Sequence, residues 1–228
     1  MRKLLTAAAA ASILALPAYA DGPLTWTGLY VGANAGYGQL NADHFQTNGG
    51  MDPSPFDADG DGFLGSATLG YNLQAGSIVF GVEAEGGWMD ITGEGRIPSS
   101  TPGHYQAIDV DTGFYGILAG RLGVTFGRTL IYGKGGYAWL EGDAGQTTTK
   151  PGFVTNRSEA LQGWTYGAGV EQAITDRIRV KFEWMRLDLD GVTGSQTSLT
   201  DDPVGYVYTN STDAEIDTFK VGVSFAFH

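Results

Sequence analysis

Phe219-Lys220-Val221-Gly222-Val223-Ser224-Phe225-Ala226-Phe227-His228 closes the sequence, and its large apolar residues stand at every second position. Phe219, Val221, Val223, Phe225 and Phe227 share one side; Lys220, Gly222, Ser224 and Ala226 share the other. A period of two is that of a β-strand with two unlike faces. In an exported chain, a strand with one greasy face and one small, polar face points to a barrel whose outside touches lipid.

The start of the chain supplies the export. Arg2 and Lys3 precede an apolar run from Leu4 to Leu16, and Ala18-Tyr19-Ala20 fits the small-x-small cleavage rule. The sequence therefore predicts a signal peptide over 1–20, cleavage after Ala20, and one outer-membrane β-barrel domain over 21–228. The leader run is shorter than the roughly 20 apolar residues of a spanning helix, and no comparable run follows it. The chain has no cysteine, so disulfides cannot hold the exported fold. Its formal charge is −12, and loss of Arg2 and Lys3 with the leader makes it more negative, which argues against nucleic acid as a partner.

Glycine is abundant, with 36 residues, and it is scattered through the apolar segments, as at Gly28, Gly32, Gly36 and Gly38. Glycine weakens ordinary strands but is tolerated where a sheet curves tightly or its interior has little room. Eight segments read as strands: Thr27–Leu40, Gly62–Gln74, Ile78–Asp90, Asp111–Phe126, Leu130–Glu141, Ala160–Ile174, Ile178–Leu189 and Glu215–Phe227. Each is long enough for a tilted membrane strand of about 9–11 residues. The connections alternate in length. Ala75-Gly76-Ser77, Gly127-Arg128-Thr129 and Thr175-Asp176-Arg177 are short; Asn41–Asp61, Ile91–Val110, Gly142–Glu159 and Asp190–Ala214 are long. The expected fold is all-β: an eight-stranded antiparallel up-and-down transmembrane β-barrel with short periplasmic turns and four long extracellular loops.

Parity then sorts the side chains. Ile178, Val180, Phe182 and Trp184 oppose Arg179, Lys181 and Glu183; Ile78, Phe80, Val82 and Trp88 oppose Glu83 and Glu85. Phe114, Leu118, Leu122, Val124 and Phe126 oppose Arg121; Ile131, Tyr137 and Trp139 oppose Lys134; Trp164, Tyr166 and Val170 oppose Glu171. Alternation alone fits a soluble ligand-binding barrel, apolar side inward, as well as a membrane barrel, apolar side outward. Three features favour the membrane version. The charged face also carries small residues, among them Gly32, Gly36, Gly136, Gly167 and Gly222, which suit a tight interior. Its charges are mixed in sign, so Glu83, Glu85, Glu171 and Glu183 can pair with Arg121, Lys134, Arg179, Lys181 and Lys220, as buried charges must. Aromatics gather towards strand ends (Tyr30, Tyr37, Tyr71, Trp88, Trp139, Trp164, Trp184, Phe225, Phe227), which suits interfacial girdles. Eight strands enclose a space that side chains can fill, so the expected lumen is plugged by an ion-pair network.

Trp26-Thr27-Gly28-Leu29-Tyr30-Val31-Gly32-Ala33-Asn34-Ala35-Gly36-Tyr37 resembles the first strand of the alphaproteobacterial 25/31-kilodalton outer-membrane proteins. Leu69-Gly70-Tyr71-Asn72-Leu73-Gln74 with Gly81-Val82-Glu83-Ala84-Glu85 resembles their second hairpin, and the likeness covers the whole mature chain. The tail Lys220-x-Gly222-x-x-Phe225-x-Phe227 is similar to the assembly signal of outer-membrane barrels, except that His228 follows the final aromatic. The resemblance implies an abundant surface antigen that contributes to envelope integrity. It implies outer-membrane lipids, lipopolysaccharide and the barrel assembly machinery as partners, with host or surface ligands reached through the long loops. Some members of the group are described as porin-like or haem-binding; no residue here carries either property over.

Chemistry is sparse. Asp57-x-Asp59-x-Asp61-Gly62 matches the opening of a calcium loop, but the twelfth position is Thr68 in place of a bidentate glutamate, which excludes a full EF-hand. A solvated acidic loop or a weak surface calcium site at Asp57, Asp59 and Asp61 remains, and no other cofactor is indicated. His44, His104 and His228 stand in no nucleophile–base arrangement and G-x-S-x-G does not occur, so no enzyme is expected. The leading expectation is a structural surface barrel; a small-solute porin and a soluble periplasmic ligand-binding barrel are the alternatives.

Overall fold

The computed structural model describes residues 24–48, 51–98, 105–148, 154–190, 194–197 and 207–227, with side chains over 24–41, 59–92, 112–141, 161–190 and 214–227. The expected leader lies outside these residues. Among the described residues nine strands follow one another: β1 (Gly28–Asn48), β2 (Met51–Ala75), β3 (Ile78–Pro98), β4 (Tyr105–Phe126), β5 (Thr129–Thr148), β6 (Val154–Ala173), β7 (Ile178–Asp190), the short β8 (Gly194–Thr197) and β9 (Val207–Phe227). Each long strand pairs antiparallel with its sequence neighbour, and β9 pairs back onto β1, so eight long strands close a barrel. Among the described residues β8 pairs with β9 alone, through Gly194↔Asn210 to Thr197↔Val207, on the β9 edge that β7 covers lower down. Closure satisfies the backbone without an edge, which a sheet in hydrocarbon requires.

The C-terminal segment is the closing strand. Phe227 sits opposite Leu29 and Lys220 opposite Gly36 on β1, while Phe225 sits opposite Ile178 on β7. Because side chains alternate, this register sends Lys220, Gly222, Ser224 and Ala226 inward and Val221, Val223, Phe225 and Phe227 outward. Exposure agrees: Lys220 is 1% exposed and Val221 is 55% exposed. The same parity holds around the barrel, and the outward belt includes Leu69, Phe80, Val82, Leu118, Leu122, Ile131 and Phe182. A water-soluble barrel would leave this whole belt in solvent, far beyond the apolar patch a soluble monomer shows. The belt is flanked by aromatics that meet edge to face across strands: Tyr37 with Phe63, Tyr137 with Trp164, and Tyr166 with Trp184. Tyr30 departs from the expected girdle. It shares the inward parity of Asn34 and is buried in the lumen.

The periplasmic connections are tight. Gly76 and Gly127 take positive φ, 64° and 62°, at the first residue after β2 and after β4, where a two-residue hairpin needs it. At the other end the strands run further than hydrophobic alternation predicts. The ladder of β1 with β2 continues from Gln39↔Asp61 to Gln46↔Ser54, and that of β4 with β5 reaches Gln106↔Thr148. These stretches were expected as loops because the long connections are rich in turn-forming Asn, Asp, Gly, Ser and Pro. Two strands already held side by side by the barrel keep pairing their backbone groups at little added closure cost, whatever their side chains.

Candidate functional site: the lumenal ion network

The lumen is layered, and its layers follow from which residues share the inward parity. Glu83 and Glu85 on β3, Arg121 on β4, Lys134 on β5, Glu171 on β6, Arg179, Lys181 and Glu183 on β7, and Lys220 on β9 all point inward, and all are buried. Lys134 is the hub. Its Nζ lies 2.5 Å from Glu83 Oε1, 3.4 Å from Glu85 Oε2 and 3.3 Å from Glu183 Oε1. Lys220 Nζ joins Glu85 Oε1 at 2.7 Å and Glu183 Oε1 at 3.0 Å. Lys181 Nζ stands 3.6 Å from Glu83 Oε1. One step towards the periplasm, Arg121 Nη1 pairs with Glu171 Oε2 at 3.1 Å, and Arg121 Nε donates to Asn72 Oδ1 at 2.9 Å.

Three tyrosines complete the network, one for each central glutamate. Tyr30 donates to Glu83 at 2.6 Å, Tyr115 to Glu85 at 2.8 Å and Tyr132 to Glu183 at 2.8 Å. The Arg121 guanidinium lies 4.9 Å from the ring centres of both Tyr30 and Tyr132. Glycine makes room for these rings: a Cβ at Gly70 would overlap Tyr30, and one at Gly169 would overlap Tyr132. The interior thus gains large side chains where neighbouring strands give theirs up. Ser66, Asn34 and Ser224 supply further hydrogen bonds, the last to Glu171 Oε1 at 3.1 Å.

Apolar layers lie on both sides of the ions. Towards the long hairpins, Leu64, Met89, Ile91, Ile117, Leu187 and Ile216 belong to one buried cluster. Towards the short turns, Trp26, Val79, Leu130, Tyr132 and Ala173 form a second, with Leu24 against it. The segment before β1 crosses this periplasmic mouth: Trp26 N donates to Gln74 Oε1, Gln74 N donates to Thr27 Oγ1, and Arg179 Nη2 donates to the Thr25 carbonyl. Sequence reading found the ions and missed the apolar layers and the tyrosines. The missing signal was present in parity, since Met185, Leu187 and Leu189 continue the inward series of Glu183.

The remaining expected sites fall elsewhere. Glu83, Glu85 and Glu183 bring carboxylate oxygens within 4.8 Å of one another, a spacing that could hold a metal ion, but Lys134 and Lys220 supply the positive charge there. Asp59 and Asp61 are exposed on the outward side of β2, and Asp61 accepts the Tyr37 hydroxyl at 2.5 Å; the Asp57 side chain lies outside the described residues. Of the tail motif, Lys220 and Gly222 face the lumen, while Phe225 and Phe227 stack edge to face on the lipid side, 5.1 Å between ring centres. The side chains of His44, His104 and His228 lie outside the described residues.

Comparison with known proteins agrees with this geometry. The family described as outer membrane protein beta-barrel domain matches residues 6–227. The 31 kDa outer-membrane immunogenic protein of Brucella melitensis biotype 1 is 28% identical over 217 residues, covering 89% of this chain and 84% of the relative. The 22 kDa outer membrane protein of Rhizobium leguminosarum bv. viciae is 30% identical over 166 residues, covering 72% and 64% respectively. The crystal structure of the outer membrane protein OprG from Pseudomonas aeruginosa superposes with a TM-score of 0.61 at 11% identity, covering 89% of this chain and 97% of that one, a likeness of fold alone. A closed barrel, greasy outside and ionic within, and matched by that family along nearly its whole length, is a member of the outer membrane protein beta-barrel family and resides in the outer membrane.

Proposed function

We propose that this protein is a closed structural barrel of the outer membrane. It contributes to envelope integrity and presents its long hairpins for contacts outside the cell. The observation that carries this reading is the packing of the lumen, where Lys134 and Lys220 bind three glutamates between two apolar layers. Water or solute crossing such an interior would have to separate buried ion pairs, which costs several kcal/mol for each ion left unpaired. The immunogenicity named for the Brucella relatives supports surface display of the hairpins. Contact with lipopolysaccharide at the hairpin end, and with the barrel assembly machinery through β9, belongs to the same proposal. So does the lack of catalysis: the central carboxylates are engaged by lysines and tyrosines, away from any substrate surface. Planar-bilayer recording tests the reading. It predicts no stable conductance step; steps of general-porin size would replace it with the porin. A lipid A mass spectrum altered by deletion of the gene would bring an enzyme back.

A further inference from the structure

The lumenal charges do not balance. Among the described residues five cations, Arg121, Lys134, Arg179, Lys181 and Lys220, are buried with four carboxylates, Glu83, Glu85, Glu171 and Glu183. Four of the cations lie within ion-pair distance of at least one of these carboxylates. Arg179 alone has none among the described residues. The nearest candidate by register is Glu171, whose oxygens are committed to Arg121 at 3.1 Å and to Ser224 at 3.1 Å. Arg179 is 1% exposed, and its only hydrogen bond among the described residues is the weak one from Nη2 to the Thr25 carbonyl, 3.3 Å. Its Nε and Nη1 have no partner among the described residues, nor have Arg121 Nη2 and Asn72 Nδ2 nearer the centre. The Trp26 ring lies 4.4 Å from the Arg179 guanidinium.

A guanidinium cannot escape this position by losing its proton. A cation–π contact compensates only part of a buried charge. Water would satisfy the N–H groups and leave the charge uncompensated, and an uncompensated charge in a low-dielectric interior is the costly case. We propose that Arg179 binds a small inorganic anion, of the halide class, in the periplasmic layer of the lumen. The chemistry selects the ligand: one excess positive charge among the described residues, and N–H donors without partners beside the Trp26 ring. The anion acts as a structural counter-ion that completes the plug, and the strand-leading segment from Leu24 to Thr27 holds it in.

The test uses the full barrel in detergent. Crystals grown in bromide are predicted to give an anomalous peak within hydrogen-bonding distance of the Arg179 guanidinium. The thermal midpoint of the unfolded gel-mobility form is predicted to rise with bromide or chloride at constant ionic strength, balanced with methanesulfonate. Both effects vanish in Arg179→Met, which removes the charge along with the donors. The wild-type halide titration needs no variant, so a variant that fails to assemble does not block the test. No peak at Arg179 in wild type, a midpoint indifferent to halide, or a halide dependence that survives in Arg179→Met each overturns the proposal. The inference rests on the closed-plug reading: stable conductance would remove both, whereas a non-conducting barrel with no bromide peak at Arg179 overturns this proposal alone.

Discussion

Lys134→Met is the sharpest perturbation of the plug. Methionine has much the same length and no charge, so the substitution removes the hub while leaving little cavity. In the native barrel Lys134 Nζ touches Glu83, Glu85 and Glu183 at 2.5, 3.4 and 3.3 Å, with the side chains of all four residues at zero exposure. Without it, three carboxylates whose oxygens lie within 4.8 Å of one another retain Lys220, Lys181 and Arg121 as counter-charges. Breaking a buried pair by removing one partner costs about 3–5 kcal/mol, or about two to four orders of magnitude in the folding equilibrium. Urea unfolding in detergent or lipid vesicles, followed by tryptophan fluorescence and by heat-modifiable gel mobility, measures the loss. Glu83→Gln in the same background removes one of the stranded charges, so the double variant should recover more than about 1 kcal/mol relative to additivity. A single variant within about 1 kcal/mol of wild type, or additive behaviour of the pair, would refute the argument that Lys134 holds the network together.

Four further outcomes follow from the same geometry. Arg186→Ala removes a partly exposed pair with Asp217 and Glu215 on the outside of the barrel, and it should cost no more than about 1 kcal/mol in the same unfolding assay. Gly169→Ala forces the Tyr132 ring aside and weakens its bond to Glu183; overpacking of this kind costs about 1–3 kcal/mol, and Tyr132→Phe in the same background should show that the hydroxyl contact is already lost. Leu187→Ala opens the fully buried layer above the ions and should cost about 2–5 kcal/mol while leaving gel mobility of the folded form unchanged. Leu118→Arg places a charge on the lipid face and should cost about 2–4 kcal/mol in bilayers if the position lies near the midplane, whereas the same change at Asp90, beyond the girdle, should cost almost nothing.

How much of this was legible from residues alone depends on whether two faces differ. On β7 they differ fully: Ile178, Val180 and Phe182 against Arg179, Lys181 and Glu183, so the strand and its two faces could be read, while the choice of which face meets lipid needed the small residues and mixed charges as well. The nine inward charges were found for the same reason, because charge is conspicuous against an apolar partner face. The apolar layers were not found, since Met185 and Leu187 look no different in type from lipid-facing residues and only parity separates them. Tyr30 was misplaced because aromatic type was weighed above parity. The hairpin extensions were invisible because stretches such as 41–61 are rich in turn-forming Asn, Asp, Gly and Pro, and backbone pairing leaves no trace in hydropathy. Which glutamate meets which lysine depends on shear around the barrel, and no single strand encodes that.

The whole account rests on which side of each strand meets lipid, and the chain's lack of cysteine makes this directly measurable. Single-cysteine spin labels along β9 at Val221, Gly222, Val223 and Ser224, read for collision with oxygen in lipid bilayers, should give a period of two. Labels at Val221 and Val223 are predicted to be accessible, and labels at Gly222 and Ser224 shielded. Accessibility at Ser224 with shielding at Val223 would turn the barrel inside out and contradict the assignment of both its lipid face and its plug.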